Sequence, residues 1–157
     1  MGGVGQRRPG SDREVRDALH EVVEEFADTP RELRLPLLLE FANSLPPLPE
    51  HLLADRDAME PVEECQTPLF LAVDAAPGEP VRLYFDAPRE APTSRGFAAV
   101  LVQGLDGATP EEVLATPNDF YMSMGLEELV TPMRMRGLSA MLARVKRRVA
   151  AGMSAGG

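Results

Sequence analysis

Apolar residues near the start of the chain recur at the spacing of one helical face. Ser11 and Glu14 form a capping-box pattern, in which a hydroxyl and a carboxylate bond the free amides of a first helical turn. A second such pattern, residues 29–32 (TPRE), predicts the start of the next helix. Pro36 either kinks that helix or marks where its ordered part begins, since proline removes a backbone donor. The apolar stripe of the first helix consists of Val15, Leu19, Val22, Val23 and Phe26.

Two apolar runs in the middle of the chain predict β-strands. Residues 69–73 (LFLAV) and 81–85 (VRLYF) flank a segment rich in turn-forming residues, so we expect them to pair as an antiparallel hairpin. A third short strand is expected near Val62. The proline-containing segment 46–60 is expected to form a rigid surface loop that is pinned to the core.

Helical patterns return after the strands. Residues 97–101 carry an apolar helical face, and threonine–proline pairs at Thr109 and Thr116 predict two short helices. Another such pair at Thr131 predicts the start of the last helix. This order of elements predicts an α+β fold, in which a small antiparallel sheet of about three strands is covered on one face by several helices. The apolar face of the last helix consists of Leu138, Met141, Leu142, Val145 and Val149.

The length of 157 residues fits a single domain. We expect residues 11–150 to form it, with disordered tails at residues 1–10 and 151–157. The single cysteine excludes an intramolecular disulfide and a CxxC pair, and it is typical of a reducing compartment. No apolar run has the length of a membrane span, and the first ten residues lack the apolar segment of a signal peptide. The expectation is therefore a cytoplasmic protein without a membrane partner.

Charge is unevenly distributed along the chain. The net charge is −9, yet residues 131–157 contain 6 basic residues and no acidic one. The rest of the chain has 10 basic and 25 acidic residues, a net charge of −15. An acidic body disfavours nucleic-acid binding, which needs a broad basic face. The cations late in the last helix are expected to interact with its negative end, and they are Arg144, Lys146, Arg147 and Arg148.

Cys65 is the one residue with clear potential for covalent chemistry. It lies where a polar, proline-containing loop runs into the first strand of the hairpin. The residues alone leave two interpretations open, a nucleophile near the surface or a core filler, since free cysteine is usually buried and inert. The histidines, His20 and His51, have no partner at metal-ligand spacing, so no metal site is predicted.

The stretch around Cys65 resembles a known family signature. Residues 62–70 (VEECQTPLF) are similar to the Gly-Cys-x-Ser-x-Val-Trp pattern of the SufE family, sulfur acceptors of iron–sulfur cluster assembly. Residues 94–101 (SRGFAAVL) resemble the family's Gly-Leu-x-Ala helix. Residues 129–141 (LVTPMRMRGLSAM) resemble its Leu-Thr-Pro-x-Arg-x-x-Gly-Leu-x-x-Met stretch. The blocks occur in the family's order, and the likeness covers about residues 14–150.

The resemblance implies a SufE/IscU-like fold and a role for specific residues. Cys65 would accept persulfide sulfur from a SufS-like cysteine desulfurase, stimulate that enzyme, and deliver the sulfur to a SufBCD-like scaffold. The chain would bind no cofactor, because pyridoxal phosphate belongs to the desulfurase, and it would not be an enzyme on its own. Arg134 matches the family arginine and would support the thiolate or persulfide. Gln66 and Thr67 would offer hydrogen-bond donors, and the protein would be a monomer or a weak homodimer.

Two residues depart from the family pattern. Glu64 replaces the usual glycine and Pro68 follows Thr67, so the loop is expected to be stiffer. The local acids, Glu60, Glu63 and Glu64, are expected to raise the pKa of the Cys65 thiol. Two alternatives stay open: a docking module in which Cys65 is structural, and a nucleic-acid regulator that uses the basic last helix.

Overall fold

The computed structural model describes residues 12–65 and 67–156, with side chains from residue 18 to residue 154. The predicted Ser11 cap and the predicted disorder of residues 1–10 lie outside this part of the chain. None of the helices described here is long and apolar enough to cross a membrane. Within the described residues the helices are α1 (Asp12–Asp28), α2 (Arg31–Asn43), α3 (Glu50–Ala54), α4 (Pro92–Leu105), α5 (Pro110–Ala115) and α6 (Pro132–Gly156), and the strands are β1 (Glu60–Pro61), β2 (Phe70–Asp74) and β3 (Arg82–Asp86).

The three strands form one antiparallel sheet in the order β1-β2-β3. In the register of the hairpin, Leu71 faces Phe85 and Val73 faces Leu83. These four side chains lie on the sheet face that meets the helices. The short strand β1 pairs Pro61 with Phe70, which confirms the strand predicted near Val62. The α+β prediction is therefore confirmed, with a three-stranded sheet at its centre.

Helices α4 and α6 form the centre of the core. Leu101 on α4 and Leu138 on α6 are fully buried. Helices α2 and α4 approach closely at Gly96, where a Cβ atom would lie 2.7 Å from atoms of Leu38. A glycine is needed there because any side chain would overlap the facing helix. On the outer face of the sheet a separate cluster of Leu52, Met59 and Ala72 pins the segment 46–60, which contains the short helix α3 although a loop was predicted there.

Several helix ends differ from the predicted ones. Thr29 does not cap α2. Its hydroxyl donates to the Glu25 carbonyl at 2.6 Å and thereby closes α1, while Pro30 stands at the cap of α2. Thr116 likewise closes α5 by donating to the Glu112 carbonyl, 2.9 Å away. A threonine between two helical segments can bond either one, and local sequence does not decide which.

The boundaries around Pro36 and after residue 150 also differ from expectation. Helix α2 begins at Arg31 and continues through Pro36, so its ordered part does not begin at the proline. Helix α6 continues to Gly156, although a disordered tail was predicted from residue 151. The extension packs at Gly152, which lies against the Ala75 carbonyl where a side chain would clash. Tertiary packing thus keeps this glycine-containing end helical.

Candidate functional site

Cys65 lies at the end of a short 3-10 turn, Glu63–Cys65, here called the cysteine turn. The turn sits in the connection between β1 and β2. The Val62 amide donates to the Leu69 carbonyl at 2.8 Å, and the Cys65 amide donates to the Val62 carbonyl at 3.2 Å. These bonds extend the strand pairing up to the base of the loop. The thiol is therefore carried on a turn that both strands hold in place.

Helix α6 lies directly against the cysteine turn. The Cys65 thiol donates to the Gly137 carbonyl at 3.9 Å, a long contact of the kind that sulfur makes. A Cβ atom at Gly137 would lie 3.1 Å from the sulfur and 3.5 Å from the Cys65 Cα atom. Glycine therefore makes room for the cysteine. Gly137 thus packs against the cysteine turn, whereas Gly96 packs against the facing helix α2.

The first turn of α4 supplies a third neighbour of the thiol. Ser94 is buried, and its hydroxyl bonds the Cys65 side chain in a way that favours the thiolate. The cysteine turn, Ser94 and Gly137 belong to three separate blocks of the sequence, residues 62–70, 94–101 and 129–141. The fold brings these three blocks together at one sulfur atom.

The resting thiol is strongly biased toward its protonated form. Burial first, and the negative charge of Glu64 second, raise the pKa of Cys65 to about 11. The positive charge of Arg144 and the Ser94 hydroxyl act in the opposite direction. The predicted direction of the pKa shift is confirmed, and Glu64 is the local acid that contributes to it. Glu60 does not contribute to the raised pKa of Cys65. Its carboxylate is bound by arginines, as described next.

Glu60 and Glu64 are bound by three arginines of α6, Arg144, Arg147 and Arg148, here called the arginine cluster. Arg144 donates to Glu60 at 2.6 Å and to Glu64 at 2.7 Å, so one guanidinium bridges both carboxylates. Arg148 donates to Glu60 at 2.8 Å, and Arg147 also pairs with Glu60. These cations were expected to serve the negative end of α6. They bind β1 and the cysteine turn instead, because α6 continues beyond them to Gly156.

The arginine cluster keeps both carboxylates ionised. Burial alone would raise the pKa of Glu60, but hydrogen bonds from Arg148 and Arg144 hold this pKa below its usual value. The hydrogen bond from Arg144 likewise lowers the pKa of Glu64. Both side chains are therefore charged at neutral pH. The result is an ionic clamp that fastens the cysteine turn to α6 across 80 or more residues of sequence.

The structure places the other residues predicted for the site in different surroundings. Arg134 is exposed on the first turn of α6, where its amide donates to the Thr131 hydroxyl at 3.3 Å. The arginine whose charge acts on Cys65 is Arg144, which the sequence analysis assigned to the helix end. Thr67 is half-buried near the thiol, whereas Gln66 lies outside the described residues. The opposite charges of residues 60–64 and 144–148 are the sequence signal that could have revealed the clamp.

Comparison with known proteins identifies the same family that residues 62–70, 94–101 and 129–141 resemble. The model of the SufE family, described as an Fe-S metabolism associated domain, matches residues 20–149. The chain belongs to the SufE family. A SufE-like protein of Mycobacterium tuberculosis is 57% identical over 131 residues, which cover 83% of this chain and 90% of that protein. Family membership assigns this SufE protein a role in iron–sulfur metabolism.

A solved structure shares the fold of this SufE protein. The solution structure of a hypothetical protein from Thermus thermophilus matches it with a TM-score of 0.77 and 44% sequence identity. The match covers 88% of this chain and 98% of the other. A SufE-like protein from Synechocystis is 29% identical over 120 residues, 76% of this chain and 72% of that protein. The α+β architecture described above is thus shared with a structure of clear sequence similarity.

The histidines of this SufE protein have ordinary structural partners. His20 is exposed on α1 and lies 3.1 Å from Glu24, one turn away. The ring of His51 meets the ring of Tyr84 edge to face, with centroids 6.0 Å apart. Across residues 12–65 and 67–156, no group of three or more histidine, cysteine, aspartate or glutamate side chains is placed to hold a metal ion.

We expect replacement of Glu64 with glutamine to increase the reactivity of the thiol. The change removes the like charge beside Cys65 and releases Arg144 from one of its two carboxylates, so both effects lower the pKa from about 11. The alkylation rate of Cys65 by iodoacetamide, measured over a pH series, should rise at a lower pH than in the wild-type protein. Glu63→Gln removes an exposed carboxylate of the same turn and is the matched control. Coincident pH profiles for Glu64→Gln and Glu63→Gln would contradict this account.

Proposed function

We propose that this protein carries sulfur for iron–sulfur cluster assembly as a persulfide on Cys65. A pyridoxal-phosphate-dependent cysteine desulfurase holds the sulfur as a persulfide on its own cysteine. The Cys65 thiolate attacks the outer sulfur atom, a new S–S bond forms, and the old S–S bond breaks. The desulfurase cysteine leaves as a thiolate, and the outer sulfur stays on Cys65. A scaffold protein of cluster assembly then receives that sulfur in the cytoplasm.

The observation that carries this proposal is the convergence on one thiol of three blocks that occur in the family's order. Residues 62–70, 94–101 and 129–141 resemble SufE motifs, and they contribute Cys65, Ser94 and Gly137 respectively. Both neighbours of the thiol affect it: the Ser94 hydroxyl favours the thiolate, and the missing side chain of Gly137 leaves space for the sulfur. A cysteine that merely filled the core would need neither a hydroxyl partner nor a glycine above it.

The low reactivity of the thiol in the clamped cysteine turn fits a sulfur carrier that reacts only with its partner. A pKa of about 11 keeps nearly all of the thiol protonated at neutral pH, so small oxidants and electrophiles meet a poor nucleophile. Sulfur transfer needs a thiolate that reaches into the desulfurase. Docking would therefore have to open the ionic clamp, or supply the base that removes the proton. Either step makes acceptance of sulfur conditional on the correct partner.

Stimulation of a cysteine desulfurase tests the proposal against the docking alternative. We expect the wild-type protein to increase the rate of alanine release from free cysteine, because transfer to Cys65 frees the desulfurase cysteine for another turnover. Cys65→Ser should bind the desulfurase and fail to stimulate it. Thr67→Ser, which keeps the thiol and a nearby hydroxyl, is the matched control and should stimulate. Full stimulation by Cys65→Ser would instead favour a docking module with a structural cysteine.

A further inference from the structure

Arg144 is satisfied on only part of its guanidinium group. Its two terminal nitrogens bond Glu60 and Glu64, whereas its Nε–H is buried and meets no acceptor among the residues that the structure describes. The Thr67 hydroxyl, two residues after Cys65, is also buried without a partner in that part of the chain. Buried donors without an acceptor are rare and costly. Both of these donors occur next to the cysteine turn.

The position of Arg144 on α6 directs it toward the thiol. Gly137 and Arg144 are seven residues apart, about two helical turns, so they share one face of the helix. Side chains on a helix lean toward its N-terminus, which for Arg144 is the direction of Gly137. The Gly137 carbonyl is the atom that the Cys65 thiol contacts, and the charge of Arg144 already acts on that thiol. The guanidinium therefore belongs to the same face of α6 as the carbonyl that the thiol contacts, and its charge acts on that thiol.

Among the groups that pair within the ionic clamp, one positive charge is unbalanced. The arginine cluster contributes three positive charges, and Glu60 and Glu64 contribute two negative ones. The resting Cys65 thiol is neutral and does not alter this balance. A persulfide is more acidic than its parent thiol, so a persulfide on Cys65 would add one negative charge. The groups that face it would be Glu64 from its own turn, Arg144 from α6, and the uncharged Ser94 from α4.

We propose that Arg144 is the cation that binds the persulfide anion on Cys65, with its Nε–H available to the terminal sulfur. This inference rests on the proposed sulfur-carrier function and specifies the residue that stabilises the loaded state. In the resting protein, Arg144 closes the cysteine turn through Glu60 and Glu64. In the loaded protein the same guanidinium neutralises the persulfide. Arg144 thus fixes the cysteine turn to α6 before sulfur is bound and stabilises the persulfide afterwards.

The test measures the acidity of the persulfide in the full-length protein. Inorganic polysulfide loads Cys65 without a desulfurase, because the thiolate takes one terminal sulfur and leaves a polysulfide shortened by one atom. The rate at which iodoacetamide alkylates the persulfide, followed by intact mass over a pH series, gives its apparent pKa. Arg144→Gln should raise that pKa by about one unit. At a pH below the pKa, the fraction of the persulfide that is ionised would then be roughly tenfold smaller. Arg144→Lys keeps the charge but lacks the Nε–H, so it should raise the pKa by less.

Arg136→Gln provides the matched control. It removes the same charge from an exposed position of α6 that lies outside the arginine cluster, and the apparent pKa should stay close to the wild-type value. A wild-type pKa in Arg144→Gln would overturn the proposal. If Arg144→Gln does not fold, a wild-type pKa in Arg144→Lys would overturn it equally. Loading by polysulfide but not by a desulfurase, together with a raised pKa in Arg144→Gln, would contradict the proposed function and still support the role of Arg144.

Discussion

Replacing Gly137 with leucine is expected to push the cysteine turn away from α6 and to make the thiol reactive. A Cβ atom at this position would already lie 3.1 Å from the Cys65 sulfur, so a larger side chain cannot share the space. The turn is the element that yields, because α6 is anchored through fully buried residues such as Leu138 and Met141. Once exposed to water, the thiol should return from a pKa of about 11 toward its ordinary value of 9.0.

The size of this effect follows from two opposing factors. At pH 8 a fall of the pKa from about 11 to 9.0 increases the thiolate fraction about a hundredfold. Each thiolate becomes less nucleophilic as its pKa falls, by about tenfold over the same range. The alkylation rate by iodoacetamide should therefore rise at least about tenfold, and easier access adds to this.

A control separates expulsion of the turn from a general effect of added apolar surface. Arg136→Leu places the same side chain one residue earlier, at an exposed position of α6. It should alkylate at the wild-type rate. Equal rates for wild type and Gly137→Leu, with both proteins folded, would mean that Gly137 does not confine the thiol.

Replacing Glu60 with glutamine is expected to cause the largest loss of stability among the charged residues of the site. The Glu60 side chain is only 12% exposed and bonds the whole arginine cluster. The change leaves the partly buried Arg144 with a single carboxylate. Because Arg147 and Arg148 are 62% and 43% exposed, water compensates part of the loss. The free energy of unfolding should fall by about 2 kcal/mol, less than for a fully buried pair.

The pH dependence of that loss identifies its cause. The folded-state pKa of Glu60 lies below 4.5, so its contribution to stability is complete above pH 4.5 and disappears as the pH falls through the folded-state value. Urea unfolding should therefore show a gap between wild type and Glu60→Gln at neutral pH that closes in acid. Glu63→Gln, at an exposed position of the cysteine turn, should show little change at either pH. A gap that persists in acid would assign the loss to packing instead of charge.

The secondary structure could be predicted from the sequence where neighbouring residues alone determine the element. Apolar runs located the hairpin, a helical apolar pattern located the last helix, and Thr109 caps α5 as its threonine–proline pair predicted. Local signals failed where two segments compete for one residue. Thr29 has the pattern of a cap for α2, yet its hydroxyl is within reach of the α1 carbonyl of Glu25. Only the packed geometry decides between such alternatives.

The candidate site was predictable in its identity but not in its electrostatics. The resemblance of three blocks to SufE motifs pointed to Cys65, and the acidic neighbourhood predicted the direction of its pKa shift. The bridge from Arg144 to Glu60 and Glu64 spans 80 or more residues, and no local pattern determines which basic residue faces which acid. Arg134 matched a family motif, whereas Arg144 lies outside it. Its importance follows from the register of α6 against the cysteine turn, which depends on tertiary packing.

Intact mass spectrometry detects a persulfide on Cys65 directly. The protein is incubated with an active cysteine desulfurase and free cysteine, and its mass is measured before and after treatment with a reductant. We expect a gain of about 32 Da per sulfur atom that the reductant reverses and that Cys65→Ser does not show. No gain in the wild-type protein, while the desulfurase turns over, would contradict the claim that Cys65 is a sulfur acceptor.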